Sequence, residues 1–306
     1  MTALRIGTRG SELAMSQTRQ IVEELKKKTG HEVEIISFTT QGDRSKESLA
    51  SLGGTGVFAA ELRKALLNGE CDAVVHSLKD LPTAVLPGLT IGAIPKRADA
   101  RDALCARDGL TIDTLPEGAR VGTGSPRRQA QLKARRPDIE IVDIRGNVDT
   151  RLGRVASGDL DAVILAVAGL TRLGRTEHIT EILELSEWPT APGQGALALE
   201  VRTGDEKLVS AVDHKPTRIM VEAERGVLAH LEAGCSAPIG AQAMIEDGML
   251  FVSARVYRPD GSGHLTSSHA LYVADSADPA GEVSVRIGDE LLADGAGEIV
   301  PLGGRS

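Results

Sequence analysis

Seven arginines fall between Arg127 and Arg154, in a chain whose formal net charge is −8. They are Arg127, Arg128, Arg135, Arg136, Arg145, Arg151 and Arg154. Guanidinium is a planar fork that gives a carboxylate two parallel hydrogen bonds. An acidic protein that gathers guanidinium groups this way is building a pocket for a polyanionic small molecule. Arg135, Arg136 and Arg154 read as solvated helix-face charges, the usual fate of arginine. The other four occupy junctions between elements.

Thr123-Gly124-Ser125-Pro126-Arg127-Arg128-Gln129 follows a strand pattern and opens a helix. Ser125 suits the N-cap, and Pro126 the first helical position, where its missing N–H costs little. Exposed amides and the positive end of the helix dipole make an anion site there. Arginines at a helix N-terminus oppose that dipole, so Arg127 and Arg128 require a compensating anion. Thr8-Arg9-Gly10-Ser11 offers a matching position near the start of the chain. Arg145-Gly146-Asn147 and Arg151 follow a strand pattern over 139–144, in a strand-to-helix loop. Arg-Gly-Asn by itself would suit many turns.

His76-Ser77-Leu78-Lys79-Asp80-Leu81-Pro82 ends a buried strand and enters a turn. Asp80 could act as a general acid or base, or balance cationic charge on a substrate. Local sequence alone favours an ordinary turn aspartate or a salt bridge to Lys79. His76, inside the strand, reads as structural. Cys235 follows a helix end, where the dipole raises a thiol pKa, which weighs against redox or protease chemistry. A thiol alkylated once by a strong electrophile fits, but a loop cysteine without a role is the more ordinary reading. Cys71 and Cys105 read as packing residues.

The sequence excludes several classes. A pI near 5.5 and six aromatics among 306 residues disfavour nucleic-acid binding. No apolar run approaches the roughly 18 residues that span a bilayer. Met1 to Ile6 passes straight into a strand pattern, which predicts no export signal and a cytoplasmic protein. Three cysteines without C-x-x-C spacing argue against a disulfide framework or a metal site. No G-x-x-x-x-G-K-[ST] run supports a phosphotransferase.

Strands and helices alternate through the first half. Strands are predicted over 3–9, 33–39, 72–77 and 89–95. Ser11 caps a helix with Ala14, Thr18, Ile21, Val22 and Leu25 on one face and Gly30 as its stop. Residues 41–56 read as a loop, ending in Gly53-Gly54-Thr55-Gly56, with a helix from Val57 to Asn68. The segment from Arg5 to Ser11 resembles that from Arg120 to Ser125, and Gly69 to Val75 resembles Gly158 to Ile164. This repetition predicts two related α/β lobes, 1–96 with 196–215 and 100–192, facing each other across a cleft. The chain crosses near 96–101 and returns near 190–200. From Thr217 a helix to about Glu232 leads to strands joined at Asp247-Gly248 and Pro259-Asp260-Gly261, with a last helix over 279–293. Residues 217–306 thus form a small α+β domain with an antiparallel sheet.

These stretches resemble the porphobilinogen deaminase (hydroxymethylbilane synthase) family. The resemblance rests on residues 5–11, 53–62, 76–82, 122–129, 145–152, 165–174, 192–196 and 231–240, in the family's order. It implies two lobes like those of periplasmic binding proteins, with mixed, mainly parallel sheets, and a third domain. It also implies a dipyrromethane cofactor joined by a thioether to Cys235. That primer receives four porphobilinogen units with loss of ammonia, and hydrolysis releases 1-hydroxymethylbilane, making the protein a transferase of tetrapyrrole biosynthesis. By resemblance, Arg9, Ser11, Ser77, Lys79, Thr123, Ser125, Arg127, Arg128, Arg145, Gly146, Arg151 and Arg172 hold the cofactor and substrate carboxylates. Asp80 sits by the pyrrole nitrogens, Phe58 stacks near the site, and Gln194 lies in the crossover between lobes. The family implies a monomer without a metal, nucleic-acid or membrane partner. Thr55 stands where many members carry lysine, and Gly124 and Pro126 where serine and leucine are frequent. The competing reading is a two-lobed organic-anion binding protein without chemistry.

Overall fold

A computed structural model describes residues 3–39, 59–234, 237–300 and 302. Two compact units divide the chain, one of Met1–Ala98 with Gly195–Ile219, the other of Asp99–Gln194 with Met220–Ser306.

In the first unit, β1 (Leu4–Arg9) leads to α1 (Glu12–Thr29) and β2 (Val33–Phe38). Ser11 caps α1 by accepting the Ala14 N–H, and Gly30 stops it at φ +69°, a conformation glycine adopts without strain. Next come α2 (Ala60–Leu67), β3 (Ala73–Ser77), β4 (Leu89–Ala93) and, far along the chain, β10 (Leu197–Arg202). Their sheet has the order β2-β1-β3-β10-β4, with β10 alone reversed. Ile21, Val22 and Leu25 of α1 are buried against Ile6, Val75, Leu199 and Val201 of the sheet. The loop over 41–56 and the predicted start of the next helix at Val57 lie outside the described residues.

The second unit holds β5 (Asp102–Ala106), β6 (Arg120–Gly122), β7 (Glu140–Val142), β8 (Ala162–Ala166) and β9 (Glu181–Leu183). Their order is β7-β6-β8-β5-β9, with β5 reversed. The helices are α3 (Pro126–Arg135), α4 (Val148–Ala156) and α5 (Val167–Leu173). The predicted strand over 139–144 shortens to three residues, and a last ladder bond runs from Thr123 N to the Val142 carbonyl at 3.0 Å.

Both sheets therefore share one topology, and the two repeated sequences occupy equivalent strands, β1 with β6 and β3 with β8. The likeness reaches single hydrogen bonds. Asp72 accepts the Arg5 backbone N–H at 2.9 Å, and Asp161 accepts that of Arg120 at 2.7 Å. Each aspartate also pairs with an arginine from the reversed-strand side, Arg202 at 3.7 Å and Arg107 at 2.7 Å.

Beyond α6 (Lys215–His230), a three-stranded antiparallel sheet of β11 (Ile239–Glu246), β12 (Met249–Tyr257) and β13 (His264–Tyr272) packs on α7 (Pro279–Ala293), followed by the short α8 (Ala296–Ile299). Asp247 and Gly248 turn the first hairpin, both at positive φ. The α6 helix lies two residues earlier than predicted. His214 accepts the Thr217 N–H at its start, and Glu232, at φ +49°, has already left the helical conformation. No described helix is long and apolar enough to cross a membrane.

Candidate active site

In the first unit, the carboxyl ends of the parallel strands β1 and β3 carry the predicted residues. Arg9 ends β1 and Ser11 caps the helix that follows, both half-buried. Ser77 ends β3, and a single 3₁₀ turn over Leu78–Asp80 follows. Leu78 and Leu81 are fully buried on either side of this turn. They pin the backbone and leave Lys79 half-buried and Asp80 exposed. Among the described residues no hydrogen bond or ion pair ties up the Asp80 carboxylate, so a salt bridge to Lys79 is absent.

The second unit repeats the arrangement. Thr123, Ser125, Arg127 and Arg128 follow β6, Arg145, Gly146 and Arg151 follow β7, and Arg172 lies on the helix after β8. Carboxyl ends of parallel strands are where open α/β sheets bind ligands. Ser125 occupies the N-cap position, but its side chain makes no capping hydrogen bond, contrary to expectation. Thr123, wholly buried, takes the local bond instead, its hydroxyl accepting the Ser125 N–H at 3.2 Å. Gly124 answers a steric demand. A Cβ at this position would meet the Ile144 carbonyl oxygen at 2.7 Å. Gly146 sits at φ +113°, and Asn147 caps α4 by accepting the Thr150 N–H.

The anion that Arg127 and Arg128 require is supplied from within the protein. Both guanidinium groups converge on Asp102, the first residue of β5. Burial would raise the Asp102 pKa, but the charges of Arg128 and then Arg127 override it and hold the carboxyl far below its ordinary range. Trp188 and Gln194 donate to the same carboxylate at 3.0 Å and 2.9 Å. Gln194 also donates to the Ala100 carbonyl at 2.7 Å. Arg127 reaches on to Gln131 and the Pro189 carbonyl, and Gln131 donates to the hydroxyl of Tyr257 on β12. Sequence reading missed Asp102, Gln131, Trp188 and Tyr257. The available signal was an acidic residue opening an otherwise apolar strand.

The remaining arginines separate by their partners. Arg135 and Arg154 pair with Asp113 and Asp159 on partly exposed helix faces. Arg136, expected to be a solvated helix-face charge, is instead the C-cap of α3, with its side chain 16% exposed. Besides pairing with Asp138, it donates to the Ile112 and Leu115 carbonyls. Arg145 has no hydrogen bond or ion pair among the described residues, and its Nε is buried. Arg151 donates through Nε to the Gly146 carbonyl, holding that loop at 2.9 Å. Burial draws the Arg172 pKa down to about 10. Cys71 and Cys105 are buried, and burial pushes their thiols up to about 11 and about 12. His76 is buried against Glu200 in a structural pair. Phe58 and Cys235 lie outside the described residues.

Comparison with known proteins shows similarity along nearly the whole chain. Residues 4–210 match the family model described as porphobilinogen deaminase, dipyromethane cofactor binding domain, and residues 218–293 the model for the porphobilinogen deaminase C-terminal domain. The chain is 61% identical to the porphobilinogen deaminase of Leifsonia xyli, over 99% of this chain and 95% of that protein. It is 49% identical to that of Thermobifida fusca, over 98% and 96%. Among solved structures, the methionine-binding protein MetQ is similar over 69% of this chain and 89% of its own, at 11% identity and a TM-score of 0.45.

Proposed function

The chain belongs to the porphobilinogen deaminase family, and from that membership we propose that it couples four porphobilinogen molecules, one at a time, onto a dipyrromethane primer held by a thioether to Cys235. Hydrolysis then releases 1-hydroxymethylbilane. In this reading the protein is a monomeric cytoplasmic transferase whose partner is porphobilinogen, without nucleic acid or membrane.

The observation that carries the reading is an imbalance of charge. Two guanidinium groups share the single carboxylate of Asp102, and Arg145 has no carboxylate among the described residues. A ligand bearing an acetate and a propionate on each ring fits such a donor set, since each carboxylate accepts the fork of an arginine. When bound, the dipyrromethane supplies the nucleophilic pyrrole carbon on which the chain grows.

Asp80 would act on porphobilinogen. As the C–N bond of the aminomethyl group breaks and ammonia departs, positive charge spreads onto the pyrrole ring. A fixed carboxylate nearby stabilises that cation. After the new carbon–carbon bond forms, the same group would assist loss of the ring proton. Arg9, Ser11, Ser77 and Lys79 in the first unit, and Thr123, Ser125, Arg127, Arg128, Arg145, Gly146, Arg151, Arg172 and Gln194 in the second, would hold the acidic side chains, with Phe58 stacking near the rings. The anion-binding reading without chemistry predicts no covalent adduct and is not favoured.

The deciding test treats purified protein with an acidic aldehyde reagent for pyrroles and measures its intact mass. A colour reaction and a mass excess of two pyrrole units are expected, both lost in Cys235→Ser. A bare polypeptide mass in the untreated active protein would overturn the proposal.

A further inference from the structure

The carboxylate of Asp102 receives more donors than any other group described around the arginines. Oδ1 accepts Arg128 Nη2 at 2.5 Å and Gln194 Nε2 at 2.9 Å. Oδ2 accepts Arg127 Nη2 at 2.9 Å, Arg128 Nε at 3.0 Å and Trp188 Nε1 at 3.0 Å. A carboxylate offers about four lone-pair sites, so these five donors saturate it. Asp102 is 0% exposed, and Arg127, Arg128, Trp188 and Gln194 are all below 7%. The carboxylate itself is closed to solvent, while the two arginines keep a few per cent of their surface accessible.

The donors come from separate elements. Asp102 opens β5, the arginines fill the first turn of α3, and Trp188 and Gln194 belong to the loop that follows β9. Arg128 also donates to the Ile164 carbonyl of β8 at 2.9 Å. One acidic side chain thus ties three segments together where the predicted ligand-binding residues gather.

We infer that Asp102 is a positioning residue: it fixes both guanidinium groups in one geometry while cancelling only one of their two charges, so that the pair meets ligand carboxylates with a set direction and a surplus positive charge. The inference rests on the proposed function. An aspartate suits this task better than a neutral acceptor. Without its charge, two guanidinium groups sharing one buried pocket repel each other and lose their common anchor.

Three roles for Asp102 predict different behaviour of Asp102→Asn, which keeps the shape and removes the charge. If Asp102 positions the arginines, kcat per folded molecule falls on the order of tenfold or more, as a small misplacement of binding groups does. Intact mass then shows covalent chains stalled short of the wild-type distribution. If Asp102 only tempers positive charge, KM for porphobilinogen falls while kcat holds. If it serves stability alone, the melting temperature drops but the rate per folded molecule is unchanged. Either of the last two results overturns the inference.

Should Asp102→Asn fail to fold, Trp188→Phe removes one donor without touching an assigned ligand contact. Its turnover should fall about threefold, the scale of one lost hydrogen bond. Turnover equal to wild type would refute the positioning role. Wild-type protein runs alongside. If it forms no covalent chain with porphobilinogen, the functional reading itself fails. Failure of the variants alone to differ from wild type sinks only the role of Asp102.

Discussion

His76 and Glu200 meet across adjacent strands of the first sheet, Nε2 of the ring 3.2 Å from Oε2 of the carboxylate. Arg63 grips the same carboxylate from α2, at 2.8 Å through Nη2 and 3.0 Å through Nε. Burial raises the Glu200 pKa, but hydrogen bonds from His76 and Arg63 outweigh it, and the net shift is downward. A carboxyl whose folded pKa lies below its unfolded value stabilises the protein fully above the unfolded value, near 4.3, and loses that contribution as pH falls through the folded one. Glu200→Gln should therefore cost about 3 kcal/mol near pH 7, leaving Arg63 without its buried partner. It should also flatten the acid limb of the stability curve. Urea unfolding near neutrality and at about pH 3.5 checks both. Unchanged acid sensitivity would count against the pair.

Asp80 stands apart from that core. It is exposed, on a turn pinned by buried Leu78 and Leu81. Asp80→Ala should leave unfolding within about 0.5 kcal/mol of wild type, as surface changes usually do. Turnover of porphobilinogen should nearly vanish. Near-normal rates would remove Asp80 from the chemistry.

Arg145 and Arg127 should separate binding from stability. Arg145 has no partner among the described residues, so Arg145→Ala should leave folding close to wild type while impairing elongation or primer assembly. Arg127 belongs to the buried cluster on Asp102, so Arg127→Ala should cost about 3 kcal/mol as well as activity. Thermal unfolding and the mass distribution of covalent chains, measured on both variants, test the contrast. A pair of variants with equal melting temperatures would contradict it.

The arginine pair was legible because local signals sufficed. A strand, a proline at the first helical position and two adjacent cations lie within one short stretch. Asp102 was not, because it lies 25 residues before Arg127 and meets it only once β5 is hydrogen-bonded to β8. Glu200 posed the same difficulty, a charge within the apolar run of β10 whose partners come from α2 and β3. The α7 helix was read to its ends, since Pro279 starts it and Asp278 accepts the Gly281 N–H. The repeated stretches disclosed equivalent strands, whereas the reversal of β5 and β10 left no local trace, because pleat and side-chain alternation are the same in either direction.

The placement of β10 bears on how the chain is made. Between β3 and β4 the first sheet leaves a gap that Leu197–Arg202 fills, more than a hundred residues after β4 ends at Ala93. A nascent chain halted before that point would present unpaired backbone on two strands, a template for sticking to its neighbours. Long-range closure of this kind is slow. Truncations ahead of residue 197 should collect in the insoluble fraction, however sound the missing part of the molecule would have been.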